Sequence, residues 1–405
     1  MLRRTSRLAS ATRSGPLLGV MDEKKFKDAM TYLGDTNGGS SLWSSFHQPP
    51  VSLMVGDHLA RSLLGSVKDK ARQVWNRTGT RPSLAVITVG EEAVGGTHPT
   101  AEEREKRRRG ESWFNKEETG RKHGIKVKTI NLPEQTTTDE VISALNSVRR
   151  YDGVQLMWPL PDHIDSRKAY LSIPHSKDCD GVYYMGLSEL ASSDEGVTLP
   201  VTCEAVMMLL DEYNVDIDGA KVLVIGRSRI VGRPLAYALD QRNATVTTAH
   251  SKTFNLKGFV ADTDIVISCV GSPSLIAPEW VKSGSTVVNV GTVFEDSKLF
   301  PDVHPSNLGS FGSSKLHSST PGGVGPLSVA VLMKNVADMG MARMHKEMSR
   351  PKGGEIERGA KDGRLERGDT NIPPSYITNP RMSPSTRRFA PRFAHRSNHS
   401  DSHPT

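Results

Sequence analysis

A chain of 405 residues is long enough for two ordinary domains with appendages, because single cores stop growing at roughly 100 to 200 residues each. The net charge of +7 sits at the ends: residues 1 to 21 carry four arginines and no acid, residues 346 to 405 carry twelve Lys/Arg against seven Asp/Glu, and the segment between is at about −2. This argues against a nucleic-acid-binding body, which needs its basic stripe on the folded domain. No apolar run approaches the roughly 20 residues that span a bilayer, so no membrane segment is expected. Cys179, Cys203 and Cys269, odd in number and without ligand spacing, suggest neither a disulfide framework nor a zinc site and fit a reducing compartment.

The chain opens MLRRTSRLASATRSG, rich in Arg and Ser and free of acid, which resembles a mitochondrial transit peptide; a disordered basic tail is the alternative. Residues 22–48 are polar, with a turn at Asn37-Gly38-Gly39, and 1–48 read together as a targeting or disordered segment. From Ser83 buried strands alternate with helices: LAVITVG (84–90), GIKVKTINL (124–132) after a charged helical stretch, and GVQLMWPLP (153–161). Such alternation implies a parallel α/β sheet. Between Gly90 and Lys116 lies a stretch whose centre is almost wholly charged, read as a solvated insertion whose KRRR (106–109) is a solvated loop rather than a docking site.

A second set follows: KVLVIG (221–226), ATVTTAH (244–250), DIVISCVG (264–271) and STVVNVG (285–291), expected as a compact doubly wound unit of four strands. After about 345 the composition is Arg, Pro, Ser and Gly with few large apolar residues, and 346–405 read as a disordered tail.

VLVIGRSRIVGRP (222–234) puts Gly226, Ser228 and Gly232 directly after a buried strand and at the head of a helix. The spacing is that of a dinucleotide loop with Ser for the middle glycine; small residues admit the pyrophosphate, and the helix N-terminus offers N–H groups to its charge. An ordinary strand-to-helix turn is the competing reading. The next strand ends His250-Ser251-Lys252-Thr253 with no acid for a ribose hydroxyl, and Arg227 lies in the loop, which favours NADP over NAD.

These segments, with NKEETGRKHGI (115–125), VQL (154–156), KDCDG (177–181), LPVTCEAV (199–206) and TPGGVGPLSVAVLM (320–333), resemble in order the bifunctional methylenetetrahydrofolate dehydrogenase/methenyltetrahydrofolate cyclohydrolase family over about 50 to 345. The hexapeptide Pro321 to Pro326 is the most specific. The resemblance implies two α/β domains around a cleft: a folate and catalytic domain over 49–201, completed by a helix over 326–345, and a Rossmann-type NADP domain over 202–325. It also implies tetrahydrofolate substrates and a homodimer.

Carried residue by residue, the resemblance makes Lys116 the lysine of hydrolysis, Gln155 its assistant and Asp180 the carboxylate that holds the pterin. It adds Val154, Leu156 and Pro321, Gly322, Gly323, Val324 and Gly325 as substrate contacts. Thr202, Gly226, Arg227, Ser228, Ser251 and Thr292 would be cofactor contacts. Independently, a lysine partly desolvated in a cleft can exchange protons near neutrality, and a carboxylate can accept from a ring N–H and an amino group together.

Three departures stand out. Ser112 occupies the position of the family's stacking tyrosine, four residues before the lysine; the stretch before Lys116 is longer by roughly a dozen residues; and VQLMWPLP carries two extra residues after the strand. The expectation is oxidation of methylenetetrahydrofolate with NADP followed by hydrolysis of the methenyl product. The rivals are a dehydrogenase of another small metabolite and a degenerate paralogue that binds folate or a partner without turnover.

Overall fold

The computed structural model describes residues 52–90, 116–182, 190–192, 198–295, 298–303, 316–320 and 322–349. Ser112, Pro321, the charged stretch 91–115, the basic start and the tail lie outside the described residues. The described residues belong to one compact unit.

In chain order the elements are β1 (Ser52–Met54), α1 (Asp57–Thr78), β2 (Ser83–Val89), α2 (Lys116–Lys122), β3 (Lys126–Leu132), α3 (Thr138–Ser147), β4 (Gly153–Leu156) and α4 (Ser166–Leu171). Next come α5 (Val201–Glu212), β5 (Lys221–Ile225), α6 (Gly232–Asp240), β6 (Thr245–Ala249), α7 (Leu256–Ala261), β7 (Ile265–Ser268) and β8 (Thr286–Asn289). β9 (Thr292–Glu295), β10 (Lys298–Pro301), β11 (Leu316–Ser318) and α8 (Val324–Met348) complete them.

Two parallel sheets result, β3-β2-β4 and β1-β11-β8-β7-β5-β6, with β9 and β10 forming a small antiparallel pair. β2 is the middle strand of the first sheet, and six of its seven residues are buried, the continuous apolar run expected of a strand covered on both faces. In the second sheet β5 runs between β6 and β7, so the chain leaves it in opposite directions on successive crossovers. That is a topological switch point, and ligands bind outside the carboxyl ends of such strands.

The four-strand unit read from the sequence is therefore part of a six-stranded sheet. β1, assigned by position to the catalytic domain, pairs in parallel with β11, Ser52 opposite Leu316, and so extends the dinucleotide sheet. The helix expected over 326–345 runs from Val324 to Met348. It carries thirteen buried residues spread around its circumference, as a helix covered on several sides must.

α8 packs against α1 and α5. Lys334 on α8 pairs with Glu204 of α5 at 3.1 Å, Lys70 of α1 pairs with Asp338, and Arg343 Nε donates to Asp152 at 2.7 Å just before β4. The Asp152 carboxylate is buried and also accepts from the N–H and hydroxyl of Ser83 at the head of β2. One helix thus ties both sheets together.

Candidate active site

The start of α2, the ends of β4 and β8, the loop carrying Asp180, the start of α5 and the glycine-rich turn before α8 enclose a cleft of about 320 Å³. Its wall includes Lys116, Gln155, Asp180, Thr202, Thr292 and the backbone from Gly322 to Pro326. Residues assigned to the catalytic lysine group and residues assigned to the cofactor therefore meet at one opening.

β4 explains the choice of side chains. Successive side chains of a strand point to opposite faces, so with Gln155 in the cleft wall, Val154 and Leu156 turn away. Both are almost fully buried and pack in the core with Ala85, Ile87, Val141 and Tyr170. Their side chains support the strand and are not among the residues that line the cleft.

The loop carrying Asp180 is built by its neighbour. Asp178 Oδ1 accepts the N–H groups of Asp180 at 3.1 Å and Gly181 at 3.0 Å, an Asx-type turn. Asn335 of α8 donates to the carbonyl of Cys179 at 3.0 Å, and the Cys179 thiol donates to Val154 O at 3.5 Å. Held from both sides, the loop aims Asp180 at the cleft, where the Gln155 amide donates to its carboxylate. Gln155 Oε1 is buried without a hydrogen-bond partner, and such an orphaned acceptor costs about 1 to 3 kcal/mol unless a ligand or water supplies a donor.

Lys116 begins α2, and its Nζ donates to Met157 Sδ at 3.2 Å. Burial lowers its pKa from the usual lysine range, opposed by the negative Asp180 nearby. Burial likewise raises Asp180, opposed by the Gln155 hydrogen bond and the Lys116 charge. Both shifts run toward neutrality, which makes this pair able to exchange a proton.

Met157 and Trp158, the two residues beyond the expected VQL pattern, both line the cleft, and Trp158 is 52% exposed. The extra length was visible in the sequence; its destination was not. Asn289, Ser319 and Thr320 also line the cleft without having been singled out. Asn289 Nδ2 donates to Thr320 Oγ1 and to Gly291 O, both at 3.1 Å, joining β8 to the turn before α8.

The dinucleotide loop has the expected shape. Gly226 follows β5 at φ 119°, and a Cβ there would lie 2.8 Å from both the carbonyl oxygen and the sulfur of Cys269; only glycine fits. Ser228 Oγ accepts from Val231 N at 3.1 Å and Gly232 N at 3.2 Å. The serine thus closes the first turn leading into α6 and keeps its O–H proton to donate. Arg227 and Ser251 are exposed, at the carboxyl ends of β5 and β6. These residues fit a phosphorylated dinucleotide: a glycine-lined approach, a helix start, a cation and no acid at the end of β6. Among the described residues no group of three or more His, Cys, Asp or Glu could hold a metal ion.

Comparison with known proteins agrees with this geometry. Residues 54–180 match the family model "Tetrahydrofolate dehydrogenase/cyclohydrolase, catalytic domain" and residues 200–344 its "NAD(P)-binding domain". The bifunctional protein FolD of Thermus thermophilus is 36% identical over 293 residues, covering 72% of this chain and 97% of its own. That of Streptococcus gordonii is 33% identical over 286 residues, covering 70% and 95%. Among solved structures, FolD methylenetetrahydrofolate dehydrogenase/cyclohydrolase from Campylobacter jejuni has a TM-score of 0.63 at 31% identity, covering 72% of this chain and 99% of its own. The Trypanosoma brucei enzyme, complexed with NADP and an inhibitor, also has a TM-score of 0.63, at 28% identity over 73% and 99%. With two-thirds of the sequence matched in both halves and the cleft residues in place, this chain belongs to the tetrahydrofolate dehydrogenase/cyclohydrolase family.

Proposed function

We propose that this chain oxidises 5,10-methylenetetrahydrofolate to the methenyl form with NADP and hydrolyses the methenyl form to 10-formyltetrahydrofolate. The observation that carries the reading is the convergence of Lys116, Gln155 and Asp180 on the cleft that also admits Thr202, Thr292 and the turn from Gly322 to Gly325. When bound, NADP supplies the hydride acceptor. The donor carbon lies between two nitrogens that stabilise the resulting cation, so the protein's task in that step is alignment. Asp180, steadied by Gln155, suits a pterin ring N–H and amino group. In hydrolysis neutral Lys116 takes a proton from the attacking water as its oxygen adds to the methenyl carbon. The C–N5 bond of the adduct then breaks as its O–H becomes the formyl C=O and that proton passes to N5, leaving the formyl group on N10 and one proton released overall.

A chain without turnover is disfavoured because the lysine and carboxylate are mutually placed and desolvated, a costly arrangement for a purely structural cleft. A spectrophotometric assay with methylenetetrahydrofolate tests the reading: reduction of NADP at the nicotinamide band, then decay of the methenyl absorbance. Absence of both reactions would refute it.

Two features of setting belong to the same reading. The arginine-rich, acid-free start supports mitochondrial import, and residues 1–30 fused to a fluorescent reporter should enter mitochondria; a diffuse cytosolic signal refutes import. The edge strand β6, with four of its five residues short of full burial and Phe254 91% exposed just beyond it, supports a homodimer. Light scattering at micromolar concentration should give twice the chain mass, and a monomer mass refutes the dimer.

A further inference from the structure

We propose that Asp302, a residue outside the cleft, is the positioning residue of the dinucleotide site; this rests on the reading above. Its carboxylate, completely buried, gathers the loop after β7. Oδ2 accepts the Ser268 hydroxyl at 2.6 Å and the Val270 N–H at 3.0 Å, and Oδ1 accepts the Ser272 N–H at 2.6 Å. Three donors from five consecutive residues therefore bend around one side chain, charge-assisted bonds that are stronger than neutral ones.

Asp302 is itself fixed: its N–H donates to Gly291 O at 3.1 Å, and its carbonyl accepts from Ile276 N at 3.3 Å. Gly291 packs so closely that a Cβ would stand 2.2 Å from Asp302 Oδ2 and 2.5 Å from Gly271 N. On the other side the same loop abuts Gly226, through the Cys269 contacts that exclude a side chain there, and Cys269 N donates to Ile225 O at 2.8 Å. The segments leaving β5, β7 and β8 thus touch one another at the switch point, with this carboxylate as their common anchor.

The loop it bends keeps Val270 49% exposed. An apolar side chain held open to solvent at the carboxyl edge of a dinucleotide sheet offers a face for a flat ring. In the Asp302→Asn variant the amide turns an N–H toward a donor, one of the three bonds becomes repulsive, and the loop loses its shape without any contact to the ligand being cut.

The bifunctional enzyme contains its own control, since hydrolysis of the methenyl compound uses no dinucleotide. In the full chain, Asp302→Asn should raise KM for NADP about tenfold or more while hydrolysis stays within about twofold of the unaltered enzyme. Unchanged KM for NADP overturns the proposal, and so does an equal loss of both activities in a variant that still unfolds cooperatively. Should Asp302→Asn fail to fold, Ser268→Ala removes one bond of the three. It should raise KM for NADP by about two- to fivefold with hydrolysis unchanged, and no change in KM overturns the proposal. Failure of the functional reading is distinguishable, because the unaltered chain would then lack both reactions.

Discussion

Lys116 Nζ meets the thioether of Met157 at 3.2 Å, so the part-buried lysine has a weak acceptor in the sulfur and the Asp180 charge nearby. Burial lowers the lysine pKa, and hydrolysis should therefore rise with pH through a midpoint below the ordinary lysine value of 10.5. Removing the sulfur acceptor in Met157→Leu disfavours the charged amine further and should move that midpoint to lower pH. Met157→Gln, with a stronger acceptor, should move it up. Lys116→Met should abolish hydrolysis and leave hydride transfer measurable. A pH profile that is the same in both Met157 variants would sink the argument.

Cofactor choice should depend on Arg227. The residue is exposed at the end of β5, where a 2′-phosphate can take a charge-assisted bond. Arg227→Ala should raise KM for NADP roughly tenfold and leave KM for NAD unchanged. Steady-state kinetics with both dinucleotides read this directly, and equal efficiency with NAD in the unaltered enzyme contradicts it.

The α8 clamp should be visible in stability. Arg343→Ala leaves the buried Asp152 carboxylate with Ser83 alone. Because Arg343 is itself about a quarter exposed, a loss of about 2 kcal/mol is expected, below the roughly 3 to 5 kcal/mol of a wholly buried pair. The urea midpoint should fall accordingly. Lys221→Ala, which removes an exposed pair with Asp262, should leave the midpoint where it is.

His317 sits on β11, with a pKa pushed down to about 4 by burial. The unfolded chain, with the group near 6.5, binds more protons between these values, so stability is lost as pH falls from about 6.5 toward 4. From this group alone the protein should be about 2 kcal/mol less stable at pH 5 than at pH 7. Denaturant melts at the two values measure the difference, and His317→Gln should reduce it. A difference unaltered by that substitution would place the acid sensitivity elsewhere.

Much of this architecture was legible because its signals are local. β2 announces itself as an apolar run, and the dinucleotide loop follows β5 without a gap. β1 does not: three residues, SLM, carry no periodicity, and their partner strand lies more than 260 positions away. The alternation of a strand predicts that the side chains beside a cleft residue face the core, and those of Val154 and Leu156 do. Asp302 left no signal at all, since an aspartate after Phe300-Pro301 looks like any turn residue until the three N–H and O–H donors around it are seen. The extra Met157 and Trp158 are countable, but only the structure shows that both line the cleft and that Met157 meets Lys116.

The pairing of β1 with β11 and the clamp by α8 also bear on how the protein is made. As the chain leaves the ribosome, β1 waits for a partner that emerges only near Leu316, and the β3-β2-β4 sheet lacks its covering helix until Val324 to Met348 has followed. Neither half can close on its own residues during synthesis. Long-range pairing of this kind is slow and leaves apolar surface uncovered meanwhile, so nascent chains stalled before Val324 should be captured by holdase chaperones, while chains released past Met348 should not.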